Sequence, residues 1–315
     1  SISDNRIVWL DVIRCVAMIM VIGVHCIDPF YISPTMRAIP EYTHWAAIYG
    51  SLLRPSVPLF VMMTGLLLLP VKKQPLGKFY KKRIYRVLFP FLIWSVLYSM
   101  FPWVTGVLGL PKEIIGDFFC YTQGQESQSL IDSLKDVAMI PFNFSHKENH
   151  MWYIYLLIGL YLYMPFFSAW IENADRKTKR AFLLIWIISL FIPYLKEYVA
   201  NCLFERSGYV FGTDTWNEFG LFYYFAGFNG YLLLGHYVKK GNDWSLMKTF
   251  ILCILMFAVG YYITYTGFST TASNPNATET EMELFFTFCK IIGSLNSCFD
   301  LVDGHRIRLG DDQAD

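Results

Sequence analysis

Seven apolar stretches in this 315-residue chain are each long enough to cross a lipid bilayer, and they restrict its fold more than any other feature. A bilayer helix needs about 17 to 25 mostly apolar residues, because its backbone hydrogen bonds must be satisfied internally. Only 16% of the residues are charged, against about a quarter in soluble domains. The stretches are Val8 to Ile27, Trp45 to Leu69, Val87 to Gly109, Trp152 to Trp170, Ala181 to Ala200, Phe219 to Val238 and Leu246 to Phe268.

An eighth stretch, Leu284 to Val302, is interrupted by Lys290. The sequence therefore predicts an all-α, polytopic membrane bundle with seven to eight spanning helices. Residues 1–303 are expected to form one membrane domain and residues 304–315 a polar, disordered tail. The long connection from Leu110 to Met151 is predicted to contain an amphipathic helix at Leu130 to Ala138, bounded by Pro141.

Basic residues in the connecting loops predict the orientation, because cytoplasmic loops collect lysine and arginine. The loop from Pro70 to Arg86 holds seven of them. Alternate later loops, after Trp170 and after Val238, are also basic, whereas the intervening loops are poor in basic residues. This alternation places the N-terminus in the cytoplasm. The first apolar stretch is too long and too charged for a cleavable signal peptide, so it is expected to remain as an anchor.

Three ionisable residues, Asp11, Arg14 and His25, lie within the first apolar stretch. Eleven residues make about three helical turns, so Arg14 and His25 share one face about 16 Å apart along the axis. Asp11 is close enough in helical spacing to neutralise Arg14. Ionisable groups in spanning helices are costly and usually mark a site or a pathway. The first helix therefore carries a polar stripe.

Each residue of the stripe has a functional and a structural interpretation. A neutral His25 imidazole can take a proton from an attacking hydroxyl, or it can bridge helices by hydrogen bonds. Arg14 can hold an anionic substrate group or simply pair with Asp11. Arg54, which precedes Pro55 in the second stretch, either snorkels to the interface or lines the same cavity as His25.

A basic run, Lys78 to Arg86, ends at the predicted cytoplasmic mouth of the third helix. Arg83 and Arg86 are three residues apart, with Lys82 beside them. Paired guanidinium groups bind phosphate in a bidentate way that lysine cannot match. The alternative is that these residues set the orientation of the protein in the membrane and bind anionic lipid headgroups.

Four motifs occur in order over about half of the chain. The first, Trp9 to His25, contains a leucine-aspartate pair, an arginine and, after ten intervening residues, a histidine. The other three are Val57 to Leu69, Arg83 to Arg86 with Pro90, and Met151 to Tyr153. In this order they resemble the motifs of the integral-membrane acyltransferase-3 family: its opening motif, its VPLFF-type motif with Thr64 in place of serine, its RxxR motif with a trailing proline, and a later tryptophan motif.

This resemblance implies a bacterial inner-membrane O-acyltransferase that moves an acetyl or similar short acyl group from acyl-CoA to a hydroxyl of a cell-envelope saccharide. His25 would be the essential histidine, acting as general base or transient acyl carrier, with Arg14 as its partner and Asp11 beside it. Arg83 and Arg86, with Lys82, would engage the CoA phosphates. The implied partners are acyl-CoA, an envelope glycan or lipid-linked saccharide, and membrane lipids. No metal and no nucleic acid are implied.

The resemblance also implies about ten helices and a C-terminal motif that this sequence lacks, so the chain is expected to be truncated at its C-terminus. A transporter or flippase for a glycan or small polar solute is the alternative function. In that case the polar stripe would line a substrate path. The inverted repeats common in transporters are not visible in the sequence.

Overall fold

The computed structural model describes residues 8–110, 128–142, 149–196, 210–214, 216–239 and 245–274, together with residues 277, 281, 282 and 286. Every regular element within these residues is helical, which confirms the predicted all-α class. The predicted tail, residues 304–315, lies outside the described residues, as does nearly all of the eighth apolar stretch. The principal helices are α1 Val8–Ile32, α2 Pro34–Arg37, α3 Pro40–Leu53, α4 Ser56–Leu68, α5 Leu76–Leu108, α6 Leu130–Met139, α7 Trp152–Asn173, α8 Arg176–Ser189, α9 Asn229–Lys239 and α10 Leu246–Ala272.

Within the described residues, four helical segments are long and apolar enough to cross a membrane. They are Val8–Ile32, Pro40–Leu68, Leu76–Leu108 and Trp152–Asn173. These correspond to the first four predicted stretches. The second is divided at Arg54 and Pro55 into α3 and α4. Seven to eight spans are therefore not confirmed, although α10 is a 27-residue helix where the seventh stretch was predicted.

The fifth and sixth predicted stretches are helical over only part of their length. Helix α8 has 14 residues, and the chain turns at Leu190 and Phe191 before a short helical segment, Ile192–Tyr194. Pro193 lacks the N–H that a continuing helix would need. In the sixth stretch, Gly227 has a φ of 94°, which is outside the helical region, so α9 begins only at Asn229. Hydrophobicity alone does not reveal either interruption.

The described residues divide into two compact units, one up to Lys72 and from Phe167 onward, the other from Lys73 to Phe166. In the first unit, α4 and α9 approach so closely that their backbones touch. A Cβ atom at Gly65 would lie 2.1 Å from the Leu232 carbonyl oxygen, and one at Gly235 would lie 2.1 Å from the Met62 carbonyl oxygen. Small residues at helix interfaces allow this approach in membrane proteins. The second and sixth apolar stretches thus form a tightly packed pair.

An aromatic cluster joins α1, α3 and α10 in the same unit. Tyr31 is fully buried, and its ring packs edge-on against Phe268 and Phe286 at centroid distances of 5.5 Å and 5.4 Å. Ala46 and Ala47 of α3, together with Ala277 and Met282, complete the buried cluster. This packing fixes the end of α1 that follows His25.

The second unit consists of α5, α6 and the first part of α7. Helix α6 confirms the predicted amphipathic helix: the Ser129 hydroxyl caps it by accepting a hydrogen bond from the Asp132 N–H at 3.1 Å. A 3-10 turn, Ile140–Phe142, follows it at Pro141. The Tyr155 hydroxyl of α7 donates to the Ile140 carbonyl, and the Tyr80 hydroxyl of α5 donates to the Leu162 carbonyl at 3.1 Å.

Candidate active site on helix α1

His25 lies one helical turn before Asp28 on α1, and the two side chains face each other. The His25 Nδ1 atom is 3.4 Å from Asp28 Oδ2. The His25 side chain is 44% exposed, whereas that of Asp28 is only 21% exposed. An imidazole beside a carboxylate keeps its proton on the facing nitrogen, so the lone pair resides on Nε2. This geometry is suited to a general base with a fixed tautomer.

Asp28 is held in turn by two residues that contact its other carboxylate oxygen. The Tyr31 hydroxyl donates to Oδ1 at 2.9 Å, and Arg54 Nη2 donates to the same atom at 3.0 Å. Arg54 Nη2 also donates to the Tyr31 hydroxyl oxygen at 2.7 Å. Three donors thus surround one carboxylate. Such partners orient a functional group by restricting its rotamer.

Arg54 comes from the break between α3 and α4, so the cluster of His25, Asp28, Tyr31 and Arg54 ties the second apolar stretch to the first. Its guanidinium carbon lies 4.4 Å above the Phe286 ring, a cation–π contact. Its side chain is only 20% exposed. Of the two interpretations of Arg54, the structure supports membership of the His25 cluster rather than an isolated side chain that snorkels to the interface.

Pro29 follows Asp28 inside α1. Because proline has no N–H, it cannot donate the helical hydrogen bond to the carbonyl of the residue four positions earlier, which is His25. The helix nevertheless continues to Ile32. The turn that carries the candidate base therefore lacks one ladder hydrogen bond.

The other two predicted site residues on α1 form a separate pair. Arg14 Nη1 donates to Asp11 Oδ1 at 2.8 Å, and the side chains are 49% and 31% exposed. About 16 Å of helix rise separates Arg14 from His25, so their side chains do not meet. Each follows directly after a buried residue, Ile13 or Val24. The polar stripe therefore runs along the edge of the packed face of α1.

Sequence reasoning missed Asp28 and Tyr31 because the predicted helix ended at Ile27. A signal was available, since Asp28 has the same three-residue spacing from His25 that Asp11 has from Arg14. Extending the helix by one turn across Pro29 would have revealed it. Tyr31 gave no comparable signal, because a tyrosine at a membrane boundary is common.

The predicted phosphate-binding residues lie in the second unit, inside the first turns of α5 rather than in a loop before it. Arg83 is half-buried, whereas Lys82 and Arg86 are exposed. None of the three forms an ion pair with a described residue. Their charges are therefore available to an anion as far as the described part of the chain shows.

A buried histidine and the later tryptophan motif also have defined positions in the structure. His236 is buried in α9, with Nδ1 3.2 Å from the Leu69 carbonyl oxygen, so it joins α9 to the end of α4. Met151, Trp152 and Tyr153 form the transition from a 3-10 turn into α7. Among the described residues, no group of three or more histidine, cysteine, aspartate or glutamate side chains is placed to hold a metal ion.

Comparison with known proteins identifies the family to which the chain belongs. A family model described as an acyltransferase domain, Acyl_transf_3, matches residues 7–295 of the 315. The match includes the described residues of both units and every candidate site residue named above. Comparisons with curated proteins and with solved structures give no match. Since the family match extends over far more than half of the sequence, the chain belongs to the acyltransferase-3 family of membrane acyltransferases.

Proposed function

We propose that this membrane acyltransferase moves an acetyl or other short acyl group from acyl-CoA to a hydroxyl of a cell-envelope saccharide, with His25 as the general base. The observation that carries the proposal is the contact of His25 Nδ1 with Asp28, which is itself held by Arg54 and Tyr31. Family membership gives the reaction class. The His25 geometry suits proton removal from a hydroxyl, which is the step such an acceptor requires.

In the proposed reaction, His25 Nε2 takes the proton of the acceptor hydroxyl as its oxygen attacks the thioester carbonyl carbon. The tetrahedral intermediate collapses, the C–S bond breaks, and the CoA sulfur leaves with the proton from the imidazolium. The products are an ester and free CoA-SH. Asp28 stabilises the imidazolium between the two steps and keeps the ring in position. General-base catalysis of this kind contributes about 100- to 10,000-fold.

We assign Arg14 a positioning role toward the anionic acyl donor, with Asp11 holding its side chain in place. Lys82, Arg83 and Arg86 are proposed to bind the CoA phosphates. Their lack of ion-pair partners among the described residues supports this assignment, because an unpaired guanidinium is a ready phosphate ligand. If the protein lies in the bacterial inner membrane with its N-terminus on the cytoplasmic side, these residues would face the cytoplasm, which is the compartment that contains CoA.

The proposed acyl transfer is tested by supplying labelled acetyl-CoA to inverted membrane vesicles and measuring alkali-labile label in the saccharide fraction. We expect His25→Ala to reduce incorporation by about 100-fold or more. Cys26→Ala is the matched control, because Cys26 is the exposed neighbour of His25 on the same helix. Equal incorporation by His25→Ala would remove His25 from the reaction. Transport of saccharide without ester formation would favour a transporter instead.

The donor site has its own test, which uses acetyl-CoA and its 3′-dephospho analogue. If Arg83 and Arg86 bind the 3′-phosphate, the wild-type protein should have a lower KM for acetyl-CoA than for the analogue. The double variant Arg83→Gln, Arg86→Gln should lose this difference, whereas Lys78→Gln, on the same helix, should retain it. An unchanged preference in the double variant would assign these arginines to topology or lipid headgroups.

A further inference from the structure

A cavity of about 650 Å³ lies in the first unit between the α2–α3 region and the C-terminal part of α10. Its size falls within the range of small-molecule sites, about 300 to 1,000 Å³. The residues of interest in its lining are Arg37, Thr43, His44, Tyr265, Ser269 and Ser273. Neither the sequence motifs nor the proposed base account for this group of residues.

The cavity is connected by direct contacts to the cluster that holds His25. Tyr31, which donates to Asp28, packs its ring against Phe268 of α10. Phe268 is adjacent in sequence to Ser269 and lies one turn from Tyr265, both of which line the cavity. One buried aromatic contact thus separates the cavity wall from the residues that orient the candidate base.

Most of the polar lining consists of neutral hydrogen-bonding groups. The Tyr265 hydroxyl lies 3.4 Å from His44 Nδ1, and the Thr43 hydroxyl donates to the Arg37 carbonyl at 3.1 Å. A serine hydroxyl can both donate and accept, as can those of threonine and tyrosine. A wall of such groups suits a ligand with several hydroxyls, which also donate and accept.

Arg37 adds one positive charge to this neutral wall. Its Nη1 atom donates to the Ala277 carbonyl at 2.9 Å and contacts the Met282 sulfur at 3.8 Å. No carboxylate forms an ion pair with it among the described residues. The N–H donors on Nε and Nη2 likewise have no partner in that part of the chain. A half-buried guanidinium in this state is suited to a carboxylate or phosphate oxygen.

We propose that this cavity binds the acceptor saccharide and selects acceptors that carry an anionic substituent, which Arg37 recognises. The inference rests on the proposed function, since it concerns the acceptor of that reaction. The hydroxyls of Thr43, Tyr265, Ser269 and Ser273 contact the neutral part of the sugar. The contact between Tyr31 and Phe268 keeps this site next to the cluster that orients His25.

The test compares cellobiouronic acid with cellobiose, two disaccharides that differ by one carboxylate, using calorimetry on the full chain in nanodiscs. The wild-type protein should bind the acid at least about tenfold more tightly than the neutral sugar. The reason is that a charge-assisted hydrogen bond between Arg37 and a carboxylate is stronger than one between neutral groups. The methyl ester of the acid should bind like cellobiose. Arg37→Gln should abolish the preference, while Arg37→Lys should retain part of it. Lys72→Gln removes an exposed charge from the same unit and should change nothing.

Equal affinity of the wild-type protein for the acid, its methyl ester and cellobiose would overturn the inference without requiring any variant to fold. The inference would also be overturned if Arg37→Gln lowered the affinity for the acid and the affinity for the neutral sugar by the same factor. The measurement is repeated with phosphatidylglycerol in the nanodiscs. Persistence of the preference supports a saccharide site, whereas its loss would assign Arg37 to a lipid phosphate and overturn the proposal.

A parallel assay of acetyl transfer from acetyl-CoA separates the inference from the proposed function. Binding preference for the acid, with no transfer to either sugar, would support the cavity assignment and count against the proposed reaction. Transfer to both sugars with equal efficiency would support the reaction and overturn the preference for an anionic acceptor. His25→Ala should stop transfer while retaining the difference in affinity.

Discussion

The two charged groups on helix α1 have the same three-residue spacing but very different surroundings. Asp11 and Arg14 pair with each other on an exposed surface, with side chains 31% and 49% accessible. Asp28, at the other end, contacts not only His25 but also Tyr31 and Arg54, and Arg54 is 26 residues away in sequence. One group is local and exposed; the other is formed by two apolar stretches, and its members other than His25 are mostly shielded from solvent.

The two groups are therefore expected to differ in how much they contribute to folding. An exposed ion pair contributes about 0 to 1 kcal/mol to stability, so the pair of Asp11 and Arg14 should add little to the stability of the fold. The Asp28 carboxylate instead receives donors from a fully buried tyrosine and from an arginine stacked on Phe286. Removing one member of such a network leaves the others badly paired. We therefore expect substitutions at the two ends of α1 to have unequal effects.

The largest effect is expected for Asp28→Asn, which keeps the size of the side chain but removes the charge that stabilises the His25 imidazolium. Acyl transfer should fall by about 100-fold, because the base loses its orienting and charge-compensating partner. The measurement is kcat and KM for acetyl-CoA in proteoliposomes. The decrease should appear in kcat, with KM unchanged.

Asp28→Glu is the matched control, because it retains the carboxylate and should restore part of kcat. A purely structural role for Asp28 would give a different pattern, in which both variants lose protein yield and the surviving protein keeps a normal kcat. That result would assign Asp28 to folding rather than to the positioning of His25.

An intermediate effect is expected for Arg14→Gln. If Arg14 positions the anionic acyl donor, KM for acetyl-CoA should rise about tenfold, as expected for loss of a charge-assisted hydrogen bond. The free energy of unfolding should change by less than about 1 kcal/mol. Asp11→Asn, which leaves the guanidinium in place, should raise KM less. Unchanged KM in both variants would reduce this group to a simple surface ion pair.

The smallest effect is expected for Tyr31→Phe, which deletes one hydroxyl and leaves the ring packed against Phe268. Acyl transfer should decrease by up to about tenfold, because Arg54 still holds Asp28 after the Tyr31 hydrogen bond is lost. The protein should lose about 1 kcal/mol of stability, measured by denaturant unfolding in detergent. A loss as large as that of Asp28→Asn would indicate that Tyr31, rather than Arg54, is the main support.

The sequence was sufficient where hydrophobicity and helix length agree. The first, third and fourth apolar stretches correspond to α1, α5 and α7, each long enough to span a membrane. It was insufficient where local backbone chemistry overrides hydrophobicity. Pro193 prevents α8 from continuing through its stretch, and Gly227 delays the start of α9.

In the site, too, the sequence predicted individual residues but not the contacts between residues far apart in the chain. His25, Arg14 and Asp11 were identified because a charge in an apolar helix stands out in sequence. The contact of Asp28 with Arg54 was not predictable, since it depends on how α1 packs against the break between α3 and α4. The catalytic roles of His25, Arg14 and Asp11 and the CoA-binding roles of Lys82, Arg83 and Arg86 remain predictions.

Pro29 weakens the backbone hydrogen bonding of the helical turn that carries His25. Because Pro29 cannot donate the ladder hydrogen bond, the backbone holds this turn less firmly than a helical turn in which every ladder bond is made. The position of the imidazole is consequently determined by side chains, through Asp28, Tyr31 and Arg54, and by the elements that carry them. Because Arg54 directly follows α3 and Tyr31 packs against Phe268 of α10, we expect a displacement of either helix to shift the side chains that orient the imidazole.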